Sequence, residues 1–278
     1  MTHEAAERSW ADGEPVEFYR FVRGTNYWRY NTSDRILTRL ESAVEESYVG
    51  TPISRGRIQR GSEGGRLTLS INVPRSLAVA ELWMPYPTSQ AVGLDIFREN
   101  IGKTGSSMVW SGRVVSPVYR PETVELKGEP TATYARKAGQ AQAWQRGCMH
   151  VLYGQGHGLC NADREAFAVN ATVSSVMANI VTSAGFDVFD KPTRLGGGYI
   201  KWTDVDGVEH RRSISSHNGS TINLLYGSND LPNGTVVRAY PGCAHNIDDC
   251  TNFFSNRPNY GGEPDSPERS PFNGNPVF

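Results

Sequence analysis

Four cysteines fall in two close pairs, and their side chains are the most informative reactive groups in the sequence. Cys148 and Cys160 lie in the segment GCMHVLYGQGHGLCNAD, and Cys243 and Cys250 lie in YPGCAHNIDDCTNFF. Thiolates are soft ligands that favour zinc or iron–sulfur clusters over calcium or magnesium. Four of them complete one tetrahedral zinc site or hold one iron–sulfur cluster. The pairs therefore predict a metal centre, with a disulfide framework or inert buried thiols as the alternatives.

The residues around the cysteines are consistent with a metal centre but do not select the metal. Glycines flank both pairs, so the backbone can wrap closely around a centre and its amides can donate to sulfur. The spacings C-x11-C and C-x6-C are wider than the C-x2-C knuckle of ordinary zinc ribbons. This difference weakens the case for zinc and leaves an iron–sulfur cluster open.

The composition indicates a globular protein without a strongly charged partner. A chain of 278 residues with 38% hydrophobic residues can bury one large core or two smaller ones. Its 28 basic and 29 acidic residues nearly cancel, which argues against a dedicated nucleic-acid binder. We see no membrane segment and no signal peptide in the pattern. We therefore expect folding in a reducing cytoplasm, where paired cysteines are more often metal ligands than disulfides.

The elements of the first half are predicted to be mainly β-strands, separated by glycine and proline. In residues 66–73 (RLTLSINV), alternate positions are apolar, which is typical of a half-buried strand. We predict an N-terminal β-barrel-like domain over residues 1–140 and a helical or irregular connector over residues 131–147. Further strands are predicted at residues 16–23, 53–60, 108–118 and 123–127.

The second half, residues 141–278, is predicted to be a C-terminal β domain with a short helix. Residues 165–175 favour a strand over a helix because they contain several Val and Thr residues. A hairpin is predicted at residues 199–214, since Asp206-Gly207 supplies the positive φ angles of a tight turn. Other predicted elements are strands at 221–226 and 235–240, a helix at 248–256 that carries Cys250, and an extended C-terminal arm.

The cysteine-bearing half resembles the C-terminal domain of phage tail-tip hub proteins, the family of the lambda minor tail protein L and the hub of gene transfer agents. The family motif runs approximately C-x-H-x-L-Y-G-x-G-C-G, then G-C-x6-C-x3-F-x-N, then G-G-x-P. Residues 147–278 follow this motif in order, with CMHVLYGQGHGLC, GCAHNIDDCTNFFSN and GGEP. The segments YRFVRG, TPISRGRI and LTLSINVPR are similar, less distinctively, to the family's N-terminal β domain.

The resemblance implies a structural virion protein without catalytic residues. Members of the family are hub subunits of the tail tip or baseplate of long non-contractile-tailed phages. They form a homotrimer ring between the distal tail protein and the central fibre or receptor-binding tail proteins. The expected location is the virion tail tip, assembled in the host cytoplasm. Phage DNA would pass through the lumen without specific binding, and the near-zero net charge is consistent with that.

The family's cysteines hold a [4Fe–4S] cluster, and the resemblance assigns this role to Cys148, Cys160, Cys243 and Cys250. We interpret the cluster as a staple that ties the 148–160 loop to the 243–250 segment. The chain departs from the motif at one point, because His157 stands where the family has its second cysteine. We favour Cys160 as the fourth ligand through a shifted loop, with His157 as the alternative ligand.

The other histidines are expected to have supporting roles. His150, at the family's own histidine position, is expected to donate a hydrogen bond behind the ligands or to pack beside them. His245 is interpreted as a loop histidine. We expect the remaining histidines to face solvent: His3, His210 and His217.

Three alternative functions remain open beside the hub. One is a zinc-stapled structural module of the tail. Another is a carbohydrate-binding β module, which would also show strands with scattered Trp and Tyr. The third is a thiol or metal hydrolase, in which Cys148 pairs with His157 or His245 as nucleophile and base. The sequence contains no thiol-protease signature, nucleophile elbow or phosphate loop, so we expect a protein that is not an enzyme.

Overall fold

The structure used throughout is a computed structural model, which describes residues 2, 4, 5, 8, 13–58, 68–103, 105–131 and 145–266. The chain folds into a first unit, residues 1–137 with 203–209, and a second unit, residues 138–202 with 210–278. The predicted boundary at residue 140, most of the 131–147 connector and the last part of the predicted arm, 267–278, lie outside the described residues.

The described residues include no helix that is both long enough and apolar enough to cross a lipid bilayer.

The first unit is built on one large antiparallel sheet, apart from a parallel pairing between β2 and β4. Its strands follow the spatial order β3-β4-β2-β1-β7-β8-β9-β6-β5 among the described residues. Its elements are β1 (Pro15–Arg23), β2 (Asn26–Asn31), β3 (Leu37–Glu41), β4 (Val44–Gly50), β5 (Ser54–Arg55), β6 (Leu69–Pro74), α1 (Ala78–Glu81), β7 (Val92–Asn100), β8 (Ser107–Tyr119) and β9 (Thr123–Pro130).

Strand β1 has apolar side chains on both faces, because the chain packs against it from two sides. Tyr19 and Phe21 are fully buried in the main core of the unit. Phe18, on the other face, packs edge-on against Tyr48 in a smaller cluster, with ring centroids 5.1 Å apart. The sheet therefore buries one extensive apolar face and a small second one.

Most predicted strands of the first unit are confirmed, and one is too long. The predicted strands at 16–23, 108–118 and 123–127 correspond to β1, β8 and β9. The 66–73 strand corresponds to β6, with residues 66 and 67 outside the described part. Of the 53–60 strand, the described residues contain only the two residues of β5 as strand; residues 56–58 lie outside it, although the Gly56 N–H still donates to the Ser70 carbonyl oxygen, and residues 59 and 60 are outside the described part. Strands β2, β3, β4 and β7 were not predicted.

The second unit contains a sheet with the order β10-β16-β13-β14-β15-β12-β11. Its buried apolar side chains form a second core that includes Ile200, Ile214 and Val237. The elements are β10 (Val169–Thr172), β11 (Ser175–Met177), β12 (Ile180–Thr182), β13 (Tyr199–Thr203), β14 (Glu209–Asn218), β15 (Thr221–Leu224), β16 (Val236–Tyr240), α2 (Ile247–Asn252) and 3-10 turns at Arg164–Phe167, Ala184–Phe186 and Arg257–Asn259. The predicted mainly β fold is confirmed, and one of the two sheets curls into a half-barrel.

The local predictions for the second half of the chain are confirmed in outline. The 199–214 hairpin is present as β13 and β14, and Gly207 adopts the expected positive φ of 76°. Residues 165–175 divide between a 3-10 turn and β10, because Asp163 caps the turn by accepting the Glu165 N–H. The helix that carries Cys250 begins one residue earlier than predicted, since Asn246 accepts the Asp249 N–H at 2.7 Å, and it ends at Asn252 instead of residue 256.

The expectation of solvent-facing histidines is wrong for His210 and His217, while His3 lies outside the described residues. His210 is 0% exposed and stacks on Trp202, with ring centroids 5.3 Å apart. His217 is 5% exposed; its Nδ1 accepts the Leu195 N–H, and its Nε2 lies 2.6 Å from the Gly219 carbonyl oxygen. The polar sequence around them concealed that β14 turns these side chains inward.

Candidate metal centre

All four cysteines line one pocket of the second unit, although the two pairs are distant in the sequence. All four are free thiols; Cys250 is buried and the other three are half-buried. The other residues that line the pocket are His150, Leu152, His245, Phe254, Asn256 and Asn259. The structure thus brings together every cysteine that the sequence nominated as a ligand.

A two-way hydrogen-bonded link joins the first cysteine of one pair to the loop of the other. The Cys148 N–H donates to the His245 carbonyl oxygen at 2.8 Å. The His245 ring Nδ1 lies 3.0 Å from the Cys148 carbonyl oxygen, which fixes the tautomer with a proton on Nδ1. His245 has a φ of 55°, so its backbone reverses there and brings both groups into reach. His245 therefore joins the two pairs, a more specific role than that of a loop histidine.

The 148–160 loop is shaped by Asn161, and this shape decides which side chain faces the pocket. The Asn161 side chain accepts the Gly156 N–H at 2.8 Å and donates to the Gly156 carbonyl oxygen at 2.9 Å. Gly156 and Gly158 have φ of 132° and 67°, values that glycine adopts easily. The closed loop places Cys160 in the pocket wall, while His157 is exposed and does not line the pocket.

The second cysteine pair is fixed by α2 and by a buried ion pair behind it. Asp249 accepts a hydrogen bond from Arg194 at 2.5 Å and from the Ala244 N–H at 3.0 Å. The side chains of Arg194 and Asp249 are only 9% and 8% exposed. The pair therefore anchors the helix that carries Cys250 and the turn that follows Cys243.

Residues 256–263, which we call the strap, pass over the thiols and contribute backbone donors. The Gly261 N–H donates to Cys148 Sγ at 3.3 Å. The His150 Nδ1 lies 3.0 Å from the Asn259 carbonyl oxygen. His150 is therefore a supporting hydrogen-bonding side chain at the pocket wall, the position expected from the sequence. Outside the strap, the His245 N–H likewise donates to a cysteine sulfur, Cys243 Sγ, at 3.3 Å.

The strap approaches so closely that a Cβ at either of two glycine positions would collide with a neighbour. A Cβ on Gly261 would collide with the His150 ring. A Cβ on Gly262 would lie 2.5 Å from the Arg146 carbonyl oxygen, which is backbone and has no alternative rotamer. The Tyr260 hydroxyl donates to the same carbonyl oxygen at 2.6 Å. These contacts hold the strap against the segment that leads into Cys148.

Burial raises the thiol pKa values of the second pair. The pKa of Cys243 is raised to about 11, chiefly by desolvation, although the His245 N–H acts in the opposite direction. Desolvation also raises the pKa of Cys250, and the neighbouring thiols and Asp249 add to the effect. Without a metal, both groups are therefore thiols at neutral pH, and a bound metal must displace their protons.

The donor set fits a thiolate-ligated metal group. Four sulfurs face one pocket, with backbone N–H groups directed at two of them, which is the environment that stabilises metal-bound thiolates. Of the described Cys and His ligand atoms in this pocket, no three lie within 4.8 Å of one another. A single zinc ion with Zn–S bonds of about 2.3 Å would need sulfurs only about 3.8 Å apart. The arrangement is more open than a zinc tetrahedron.

Sequence reasoning did not assign a role to Asn256 or to the strap glycines. The signal was present in the sequence, because these positions are the last Asn of C-x3-F-x-N and the two glycines of G-G-x-P. What the sequence could not show is that they lie against the thiols.

Comparisons with known proteins give one match to a family model and one similar protein by sequence. Residues 194–270 match the model of a family described as phage conserved hypothetical protein BR0599. The match includes Cys243, Cys250 and the strap, but not the first cysteine pair. An uncharacterized protein of Xylella fastidiosa (strain 9a5c) is 26% identical over 237 residues, which are 78% of this chain. The chain spans about half of that relative, 48% of its length.

A solved structure has the same fold over nearly the whole chain. It is a chain from the structure titled "Virion of native gene transfer agent (GTA) particle", with a TM-score of 0.74. The similarity covers 98% of this chain and 94% of that chain, at 14% sequence identity. At this identity the likeness establishes the fold, and both units of the chain share it.

Proposed function

We propose that this protein is a structural, non-enzymatic subunit of a phage-type virion, the hub of the tail tip or baseplate. The observation that carries the proposal is the fold likeness to a gene transfer agent virion chain, which extends over 98% of the present chain. The match of residues 194–270 to a phage family supports it independently. The motif order of the cysteine-bearing half supports the assignment to the hub among virion proteins.

The second part of the proposal is that Cys148, Cys160, Cys243 and Cys250 hold a [4Fe–4S] cluster. The shared pocket, the N–H donors to two sulfurs and the open spacing of the ligand atoms support it. The exposure of His157 favours Cys160 as the fourth ligand. A single zinc ion is the alternative, and it would require the sulfurs to move closer together.

The cluster would act as a covalent staple between two distant segments. Metal ligation appears directly as folding free energy, on the order of 10 kcal/mol for structural zinc sites. Marginal domain stabilities are about 5–15 kcal/mol, so such a term is decisive for a region with little regular structure. A rigid second unit suits a component that carries mechanical load when a particle attaches to a cell.

The proposed assembly is a homotrimer ring that joins the distal tail protein to the central fibre or receptor-binding proteins. The protein would be assembled in the host cytoplasm and reside at the virion tail tip. DNA would leave through the lumen without being bound specifically. The net charge of −1 supports that last point, because a strongly basic ring would retain DNA through phosphate contacts.

Particles that carry an epitope-tagged copy of this chain would test the hub assignment. Gold-labelled antibody viewed by electron microscopy should mark one tail end, and particles lacking the chain should have no functional tail tip. Label along the tube or on the head, or infectious particles without the chain, would contradict the assignment.

A further inference from the structure

Asn256 contacts both cysteine pairs, one through its side chain and the other through its own backbone. Its side-chain Nδ2 donates to the Cys160 carbonyl oxygen at 2.5 Å and lies 3.7 Å from Cys160 Sγ. Its backbone N–H donates to the Cys250 carbonyl oxygen at 2.9 Å. Asn256 is 9% exposed, so these contacts are shielded from water.

The orientation of the Asn256 amide follows from its partners. Its Oδ1 accepts from the Asn259 Nδ2 at 2.7 Å, while its Nδ2 faces the Cys160 carbonyl oxygen. The reversed amide would place two oxygens together at one end and two NH₂ groups together at the other. The amide is therefore fixed at both ends, and it cannot turn without losing both bonds.

Asn256 links the loop that ends at Cys160 to the segment that carries Cys250, in addition to the bond from the Tyr153 hydroxyl to the Pro241 carbonyl oxygen at 2.8 Å. The loop before Cys160 closes on itself through Asn161 and contains glycines, so its internal bonds set its shape but not its distance from α2. Cys250 lies on α2, which is anchored by Asp249 and Arg194. The Asn256 side chain connects the first element to the second across a separation of 96 residues in sequence.

We propose that Asn256 is the positioning residue of the metal centre: it aligns Cys160 with Cys250 so that one thiolate from each pair faces the same group. The inference rests on the proposed metal centre. It adds that ligand geometry depends on an uncharged side-chain amide at residue 256. Outer hydrogen-bond partners of metal ligands change metal affinity by about 10–100-fold when they are mutated.

Two substitutions remove the amide in different ways. Asn256→Asp keeps the size and the acceptor toward Asn259, but it places a carboxylate oxygen against the Cys160 carbonyl oxygen and sulfur. Asn256→Ala removes the amide without adding charge, and it keeps the backbone N–H to Cys250. The matched control is Asn252→Asp, an exposed amide at the end of α2.

The measurement is metal retention by the full-length protein under anaerobic, reducing conditions, titrated with a chelator. We expect Asn256→Asp and Asn256→Ala to bind the metal about 10–100-fold more weakly, with a changed visible spectrum. Asn252→Asp should match the wild type. The metal-free forms of all four proteins should have similar hydrogen-exchange protection, because a positioning role acts on the loaded site.

The outcomes separate this inference from the proposal beneath it. A folded wild-type protein that takes up neither iron nor zinc would overturn the metal centre itself. A loaded wild type with Asn256 variants of equal affinity and unchanged spectrum would overturn only the role of Asn256. Equal loss of protection in the loaded and metal-free variants would show a general packing role, and it too would overturn the positioning role.

Discussion

The sheet of the first unit and the cysteine region of the second unit are stabilised by different means. The sheet buries fully inaccessible apolar side chains such as Ile71 and Leu126 along long, paired strands. The cysteine region, residues 145–163 and 241–263, consists mainly of turns and short helices. There, backbone hydrogen bonds, an ion pair and side-chain amides fix the chain, and a group of aromatic rings around Phe254 adds apolar support.

The sheet also contains a network of charged side chains in which several groups interact with one carboxylate. Arg20 and Arg29 stand directly opposite each other in the β1–β2 ladder, an unfavourable arrangement for like charges. Glu41 resolves it by accepting from Arg20 at 3.1 Å, from Arg29 at 3.4 Å and from the Tyr48 hydroxyl. In the sheet, many modest interactions therefore contribute to stability. In the cysteine region, we propose that stability is concentrated in the metal centre.

The largest effect is expected for Cys250→Ser, which removes one of the four proposed thiolate ligands. A hydroxyl is a poor ligand for a thiolate-binding metal, so the loaded protein should lose most of its metal. The free energy of unfolding of the second unit should then decrease by several kcal/mol. Structural metal sites contribute about 10 kcal/mol in total. Hydrogen exchange should accelerate in residues 145–163 and 241–263, while β6 and β9 keep their protection.

The control for this variant is the next residue on α2. The Thr251 hydroxyl is buried and has no hydrogen-bond partner among the described residues, so Thr251→Val should retain both the metal and the protection. Wild-type metal content in Cys250→Ser would show that the cysteine region is not organised around this ligand.

The ion pair behind the site gives the second-largest effect. Asp249→Ala leaves Arg194 buried without its partner, which costs about 3–5 kcal/mol. The measurement is urea unfolding of the second unit, with Asp248→Ala as the control. Asp248 is exposed in the first turn of α2, so its loss should cost less than about 1 kcal/mol. Equal losses of stability at the two positions would show that the Arg194–Asp249 ion pair does not stabilise the second unit.

A core substitution in the sheet tests whether buried apolar side chains stabilise the first unit independently of the metal. Leu126→Ala opens a cavity opposite Ile71 and should destabilise the first unit by about 2–5 kcal/mol. The metal content should not change. Val118→Ala, on the neighbouring strand and 38% exposed, should cost less than about 1 kcal/mol. Loss of metal in Leu126→Ala would contradict the separation of the two stabilising mechanisms.

The smallest effect is expected for Glu41→Gln, at about 2 kcal/mol near neutral pH. Burial acts to raise the Glu41 pKa, but hydrogen bonds from Tyr48, Arg20 and Arg29 outweigh it, and the folded-state pKa lies below the ordinary 4.5. The stability from Glu41 is therefore present above pH 4.5 and is lost as the pH falls through the lower folded-state value.

Acid titration of unfolding checks that sign. The wild type should lose first-unit stability below pH 4.5 more steeply than Glu41→Gln, because glutamine does not titrate. The control is Glu45→Gln, an exposed position on β4, which should retain the wild-type acid profile. Parallel profiles for the wild type and Glu41→Gln would contradict the role of Glu41.

Alternation of apolar residues was sufficient to predict β6, β8 and β9, and β1 was predicted although its apolar side chains lie on both faces, but β7 was not predicted. In β7, Val92, Leu94 and Ile96 alternate inward, and then Phe97 is buried too. A register shift between Ile96 and Phe97 in the β7–β8 ladder breaks the period of two. Strands β3 and β4 were missed for another reason, since charged residues occupy them and obscure the apolar alternation.

The proposed metal ligands could be nominated from residue type, but the residues that support them could not. A cysteine is a candidate wherever it stands, whereas an asparagine matters only through its neighbours. Asn256 and Cys160 are 96 residues apart, and Arg194 and Asp249 are 55 apart. No local pattern connects such residues, so the supporting hydrogen bonds became visible only in the folded chain.

Purification of the protein without oxygen, followed by analysis of its composition, tests directly whether the four cysteines hold an iron–sulfur cluster. Iron, acid-labile sulfide and zinc should be measured per chain, together with the visible spectrum. We expect a coloured protein with about four irons and four sulfides per chain. Zinc alone would keep the staple but contradict the cluster, and a folded chain with neither metal would contradict the account.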